Sequence, residues 1–273
     1  MEENKPELPA DESSNQAPGP ENEPVEDISL SDAMTGVVTE PGATFEAVKT
    51  SSKKNYWIIP ALIFIVLYIA ASFLVLNDED LYSEIKTKQT QAMKERMDNA
   101  VKDGKMSREQ ADEQLDKIDK QMSKSNPLFY VFAGLGPIFT TFILLFLKGA
   151  IFLLVLKLFK GTASYMNILS VLGLAFMIES IQVIIDTVLA IVTGKLNANI
   201  GPTLLLTADT MSKEMFSFLS HFDLLTIWVL IITGIGFAKV SQLKPAQTIS
   251  AVFVLWLIWI SATSFLKIPF IPS

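Results

Sequence analysis

The chain sets long apolar blocks against polar connectors. Five blocks stand out, at about residues 56–76, 133–159, 165–193, 222–240 and 246–266. Each is apolar on every face and holds about 19 or more residues, close to the ~20 that a helix needs to cross ~30 Å of hydrocarbon. No water is available there for backbone N–H and C=O groups, so the blocks must be helical. The pattern predicts an all-α polytopic membrane protein with five transmembrane helices. Core helices of a large soluble protein are the rejected reading, because those are amphipathic.

The connectors carry their own patterns. Residues 1–28 are rich in Glu, Pro, Asn and Ser and poor in apolar side chains, which predicts a disordered tail. Residues 29–55 mix apolar and polar positions. Ser31 or Asp32 is placed to cap one short helix, and Pro41-Gly42 breaks the chain. Thr44, Phe45 and Val48 suggest a second helix, with Phe45 and Val48 on one face. This segment reads as a pair of helices lying on the membrane surface or as a plain linker. The rest, 56–273, forms the membrane domain.

Within that domain, residues 77–126 hold twelve acids and ten bases and read as an extramembrane helical hairpin. Leu81, Ile85, Ala92, Met93, Met97 and Val101 supply one thin apolar stripe. Ala111, Leu115, Ile118 and Met122 supply the other, with a turn at Asp103-Gly104 between them. Ser107 and Gln110 match a capping box. Glu113–Lys117 and Asp116–Lys120 have the spacing of helical ion pairs. The apolar run from Leu128 to Phe159 exceeds one span, so the second helix either projects from the bilayer or bends at Gly134, Gly136 and Pro137. A further interfacial helix is expected near Met211–Leu219.

Charge sharpens this division. The net charge of −7 over 273 residues belongs to the tail: residues 1–50 hold twelve acids against Lys5 and Lys49, or −10, which leaves +3 for the remainder. No basic footprint for nucleic acid is present. With the hairpin set aside as a folded insert, seven lysines lie at helix ends on the side of the N-terminus. They are Lys49, Lys53, Lys54, Lys157, Lys160, Lys239 and Lys244. Only Lys195, Lys213 and Lys267 lie opposite. The positive-inside rule then predicts a cytoplasmic N-terminus, an extracytoplasmic hairpin and an external C-terminus.

The candidate chemistry is thin. There are no cysteines and one histidine, His221, and no hydrolase or phosphate-loop motif occurs. No enzyme, metal or cofactor is expected. The sharpest features are charges within spans. Lys148 and Glu179 both fall near mid-membrane on helices joined by a short turn, so they are placed to meet as an ion pair. Gln182 and Asp186 share the Glu179 face at i+3 and i+7. An unpaired charge at that depth costs ~2.5–3.5 kcal/mol or more. A structural pair is favoured, with Gln182 as interhelical glue. A solute or proton path along these four residues, as in a transporter or channel, is the alternative. Gly234-Ile-Gly236-Phe-Ala238 has a small-xxx-small spacing that serves close packing within the bundle or in a homo-oligomer. Trp256 and Trp259 are expected to pack rather than anchor.

Four segments, taken in order, resemble the Yip family of five-span proteins, which includes Yip-one and Yif-one. The first runs from Pro41, Thr44, Phe45 and Val48 to Trp57 and Pro60. The second is Gly161 through Val171. The third joins Asp223 and Trp228 to Gly234 and Gly236. The fourth is Lys244-Pro-Ala246 before a span containing Trp256. The large hairpin resembles that of bacterial-type members and implies a bacterial cytoplasmic membrane. Ile178 stands where the family leads one to expect proline. The resemblance implies a protein of the lipid bilayer in a family not known to be enzymatic, and does not imply a molecular activity for bacterial-type members. Membrane organisation or partner recruitment through the acidic tail and the external hairpin is the expected work. Eukaryotic relatives bind Rab-type GTPases through their cytosolic tails, and Glu21–Ile28 resembles an acidic motif of those tails. A GTPase partner follows only for a eukaryotic-like member; otherwise the tail is expected to meet other membrane or cytoplasmic proteins.

Overall fold

The computed structural model describes residues 27–206 and 211–265. Ten α-helices and one short 3-10 turn account for its regular structure, and no strand occurs among the described residues. The tail 1–26 and the last eight residues lie outside the described residues.

Two short helices come first, α1 (Leu30–Thr39) and α2 (Pro41–Thr50). The cap of α1 is Ser29, whose hydroxyl accepts from the Asp32 amide at 3.1 Å, rather than Ser31 or Asp32. Pro41 breaks α1 but begins α2, since its missing N–H costs nothing at the first helical position. Both helices are built into the bundle rather than left on a membrane surface or in a linker. Ala33, Val37 and Phe45 are fully buried, and the pair packs on the third and fourth spans.

The five spans are α3 (Ile58–Asn77), α6 (Pro127–Leu158), α7 (Tyr165–Thr193), α9 (Leu224–Ser241) and α10 (Pro245–Phe265). Their bounds follow the apolar blocks closely, except at the start of α6. That helix runs 32 residues, about 48 Å, so it projects beyond a ~30 Å core. Pro137 lies inside it without ending it.

The α7 helix is the centre. In its most apolar stretch 61% of residues are buried, against 11% in α6 and 17% in α3. The α3 and α6 helices pack on one side of α7 and on each other, α9 packs on the other side, and α10 packs on α9. Close approach needs missing side chains. A Cβ on Gly173 would lie 2.3 Å from the Trp57 backbone, and one on Gly236 would lie 2.6 Å from Val171 and 2.9 Å from the Phe45 ring. The small-residue stripe of α9 is likewise used internally, for a Gly234 Cβ would fall 2.7 Å from the Ile249 backbone of α10.

Between α3 and α6, helices α4 (Glu79–Lys102) and α5 (Arg108–Gln121) form a hairpin. Its turn holds Gly104 at φ 70, and the Ser107–Gln110 capping box is complete in both directions. Lys86–Asp119 at 2.7 Å and Arg108–Asp98 tie the two helices together. Glu113–Lys117 pairs as expected at 2.7 Å. Among the described residues no ion pair joins Asp116 and Lys120, and neither takes part in the cross-hairpin pairs. The interfacial helix α8 is Lys213–Ser220, packed on α10.

Candidate functional site

The singled-out residues collect at two ends of the bundle and along α6 and α7 between them. At the end carrying α1 and α2, the buried Phe45 ring and Val171 of α7 both pack against Gly236 of α9. Trp57 covers Gly173 and meets Phe142 and Phe146 of α6 edge-on at 6.4 and 5.5 Å. Pro60 is buried in the first turn of α3. Gly161 sits in the α6–α7 turn, where Thr162 N–H donates to the Ser241 carbonyl at 3.0 Å and so joins that turn to the end of α9. Lys244 is exposed just beyond it. Lys239 of α9 lies 3.7 Å from Glu46 of α2.

A residue with no sequence signal completes this end. Asp27 accepts from the Ser51 hydroxyl at 2.8 Å, from the Ser52 amide at 2.7 Å, and from the Ser52 hydroxyl. Tyr56, almost fully buried, donates to the Ile28 carbonyl at 2.7 Å. The tail therefore leaves the bundle from a fixed point. The Ser52 and Ser51 hydrogen bonds hold the Asp27 carboxyl down at about 2, against an ordinary 3.8. A depressed carboxyl supports the folded clasp above its ordinary range and loses that support as pH falls through its own value. The protection factor of the Ser52 amide, its exchange rate relative to the intrinsic rate at each pH, is thus expected to stay high above pH ~4 and to drop as pH falls towards 2. A flat protection factor across that window, or an unchanged one in Asp27→Ala, would contradict the clasp.

At the hairpin end, Asp223 is buried and fully engaged. It caps α9 by accepting from the Leu225 and Thr226 amides at 2.7 and 3.0 Å, and it accepts from the Ile200 amide at 3.0 Å. The Leu224 amide returns a bond to the Ile200 carbonyl at 3.1 Å. Asn199 donates to the Ser220 carbonyl at 2.7 Å, and the Leu196 amide donates to Glu84 of the hairpin at 3.2 Å. One acidic side chain thus ties the α7–α8 connection to α9. Trp228 is half-buried against the core. Trp256 meets Phe222 edge-on at 5.1 Å, but Trp259 is 53% exposed and does not pack as expected.

Nearer the hairpin end of the spans, Gln182 of α7 donates to Thr226, in the first turn of α9, at 3.0 Å. That bond turns the Glu179–Gln182–Asp186 face towards α9. One Asp186 carboxylate oxygen is buried with no hydrogen-bond partner. Lys148 stands on α6 beside Gly149, which packs on Leu169 and Tyr165 of α7. Lys148 is exposed and Glu179 partly so. Among the described residues no ion pair joins Lys148 and Glu179. No group of His, Cys, Asp or Glu suited to a metal ion occurs among the described residues either. Ile178 is fully buried in an unbroken α7.

A family model described as the Yip1 domain matches residues 35–266. No curated protein matches the chain, and no solved structure does.

Proposed function

This chain belongs to the Yip1 domain family, and on that premise we propose that it is a non-catalytic membrane scaffold with two recruiting arms. The acidic tail, residues 1–28, is one arm and meets protein partners at the cytoplasmic face. The 77–126 hairpin is the other and stands outside the bacterial cytoplasmic membrane. The Yip1 family is one of integral membrane proteins not known for catalysis, and the match lends no weight to transport.

The observation that carries the reading is the docking of α1 and α2. Phe45 in the Gly236 notch and Asp27 in its serine clasp give the tail a fixed departure point at the end opposite the hairpin. A tail without such a base would present partners at no defined position. The hairpin, with a 24-residue first helix about 36 Å long, supplies reach on the other side. Orientation rests on the lysines at helix ends.

Single cysteines at Ser13, Asp103 and Thr162 test the topology, since the chain has none of its own. Thr162 is exposed, whereas a Cβ on the neighbouring Gly161 would crowd the Leu156 carbonyl at 3.0 Å. An impermeant thiol reagent should label position 103 in intact cells and leave 13 and 162 unlabelled; labelling at 13 would reverse the assignment. Proximity labelling should then show that a chain lacking residues 1–26 loses its cytoplasmic neighbours while its bundle still melts normally. Unchanged neighbours would end the recruitment proposal.

A further inference from the structure

An open groove lies on the outer face of the bundle where the end of α6 meets the start of α10. Its volume is about 430 Å³, and Phe159, Ala246, Gln247, Ser250, Ala251 and Val254 line it. Contacts between the helices fix its depth. Gly173 touches Trp57, Gly236 touches Val171, two residues from Gly173, and Gly234 touches Ile249 of α10. The level of Trp57, at the start of α3, therefore passes close to Ile249. At ~1.5 Å per residue the groove runs from about 5 Å above that level, at Ala246, to about 8 Å below it, at Val254. Above Trp57 lie α1 and α2, whose outer face is polar and exposed at Ser31, Asp32, Thr35 and Glu40. The Trp57 level is thus the membrane edge, where tryptophan is at home. The groove starts among headgroups and descends into hydrocarbon.

We infer that this groove seats one anionic phospholipid from the leaflet on the α1–α2 side, with its phosphate at the mouth and an acyl chain along Ser250, Ala251 and Val254. Charge selects the headgroup. Residues 127–178 and 224–265 hold five lysines and no acid. Two of the five stand at the mouth. Lys160 follows Phe159, and Lys244 precedes the first turn of α10, where its amide donates to Gln247 at 3.4 Å. Both are exposed, and among the described residues no carboxylate pairs with either. The first turn of α10 carries no acid, so its positive dipole end adds to the lysines. Lys160 also has φ 64, a left-handed position where glycine is the usual residue. The α6 dipole does not call for it, because Lys157 already lies in the last turn. A lysine held there against its backbone preference fits a side chain needed at that spot. The lower end selects a lipid over a peptide. Val254 is 53% exposed below the membrane edge, and a polypeptide entering there would leave backbone groups unsatisfied. The acidic tail matches the charge at the mouth but cannot follow the groove down, whereas an acyl chain can.

Native mass spectrometry of the full chain tests this, using acyl-matched phosphatidylglycerol, phosphatidylethanolamine and phosphatidylcholine. One phosphatidylglycerol should be retained about tenfold over either competitor. The double variant Lys160→Gly with Lys244→Gln should lose that preference. It should melt at or above the wild-type temperature, because glycine relieves the left-handed backbone. Ser250→Phe, which fills the groove and leaves the lysines, should lose most of the bound phosphatidylglycerol as well. Equal retention of the three lipids by the wild type would overturn the proposal, whether or not the variants fold. So would a folded lysine variant that keeps the preference. Undiminished binding in Ser250→Phe would reduce the lysines to a diffuse attraction without a seat. Phosphatidylglycerol retained only by a chain lacking residues 1–26 would assign the mouth to the tail instead.

Discussion

Gly173→Ala is expected to break the α3–α7 interface. The new methyl group would sit 2.3 Å from the Trp57 Cα and Cβ. Overpacking usually costs about 1–3 kcal/mol, and the upper end or beyond applies when the obstacle is backbone rather than a side-chain tip. Trp57 cannot turn aside, because its ring is held edge-on by Phe142 and Phe146 of α6. The whole α3–α6 pair would have to shift away from α7. The melting temperature in detergent and the sharpness of the size-exclusion peak report this. Gly134→Ala is the control: a Cβ there meets nothing within 4 Å. An unchanged or slightly raised melting temperature is expected for it, since alanine is the better helix former. Equal behaviour of the two variants would show that Trp57 and Gly173 are not in close contact.

Asp223→Ala is expected to have the second largest effect. The variant loses an N-cap, worth about 1–2 kcal/mol, and strands the Ile200 amide, worth about 1–3 kcal/mol. Together these put the loss at about 2–5 kcal/mol. Asp223→Asn should fall between, because asparagine still caps α9 but has one acceptor oxygen to share. The effect should be local as well as global, with faster amide exchange at Ile200 and at Leu196, whose bond to Glu84 depends on the same connection. If Asp223→Ala melts like the wild type and exchange at Ile200 is unaltered, the buried latch does not exist in solution.

Residue by residue, legibility followed the range of the interaction. The capping box at Ser107 and Gln110 and the turn at Gly104 are local rules written in adjacent residues, and the structure contains both. Glu113–Lys117 obeys the i, i+4 rule, whereas Lys86–Asp119 joins the two helices across the hairpin, a pairing that spacing along one helix does not show. Phe45 and Val48 were visible as one face of a helix, but not what that face meets. Gly173 had a faint signal, as a lone glycine inside an apolar helix. Asp27 had none, since its serines lie 24 and 25 residues away.

Sequence alone determined that the protein is an all-helical, five-span membrane protein, because a bilayer leaves an apolar 20-residue block only one way to satisfy its backbone. It also determined the family, through short motifs whose order survives even though each is weak alone. Only the tertiary structure decided that α7 is the centre, that α1 and α2 belong to the bundle, and that Lys148 and Glu179 do not pair. Those outcomes depend on which faces of uniformly apolar helices meet. Within hydrocarbon the hydrophobic pattern no longer marks an inner face, so shape decides: a missing side chain at Gly173, Gly234 or Gly236 sets where one helix can approach another.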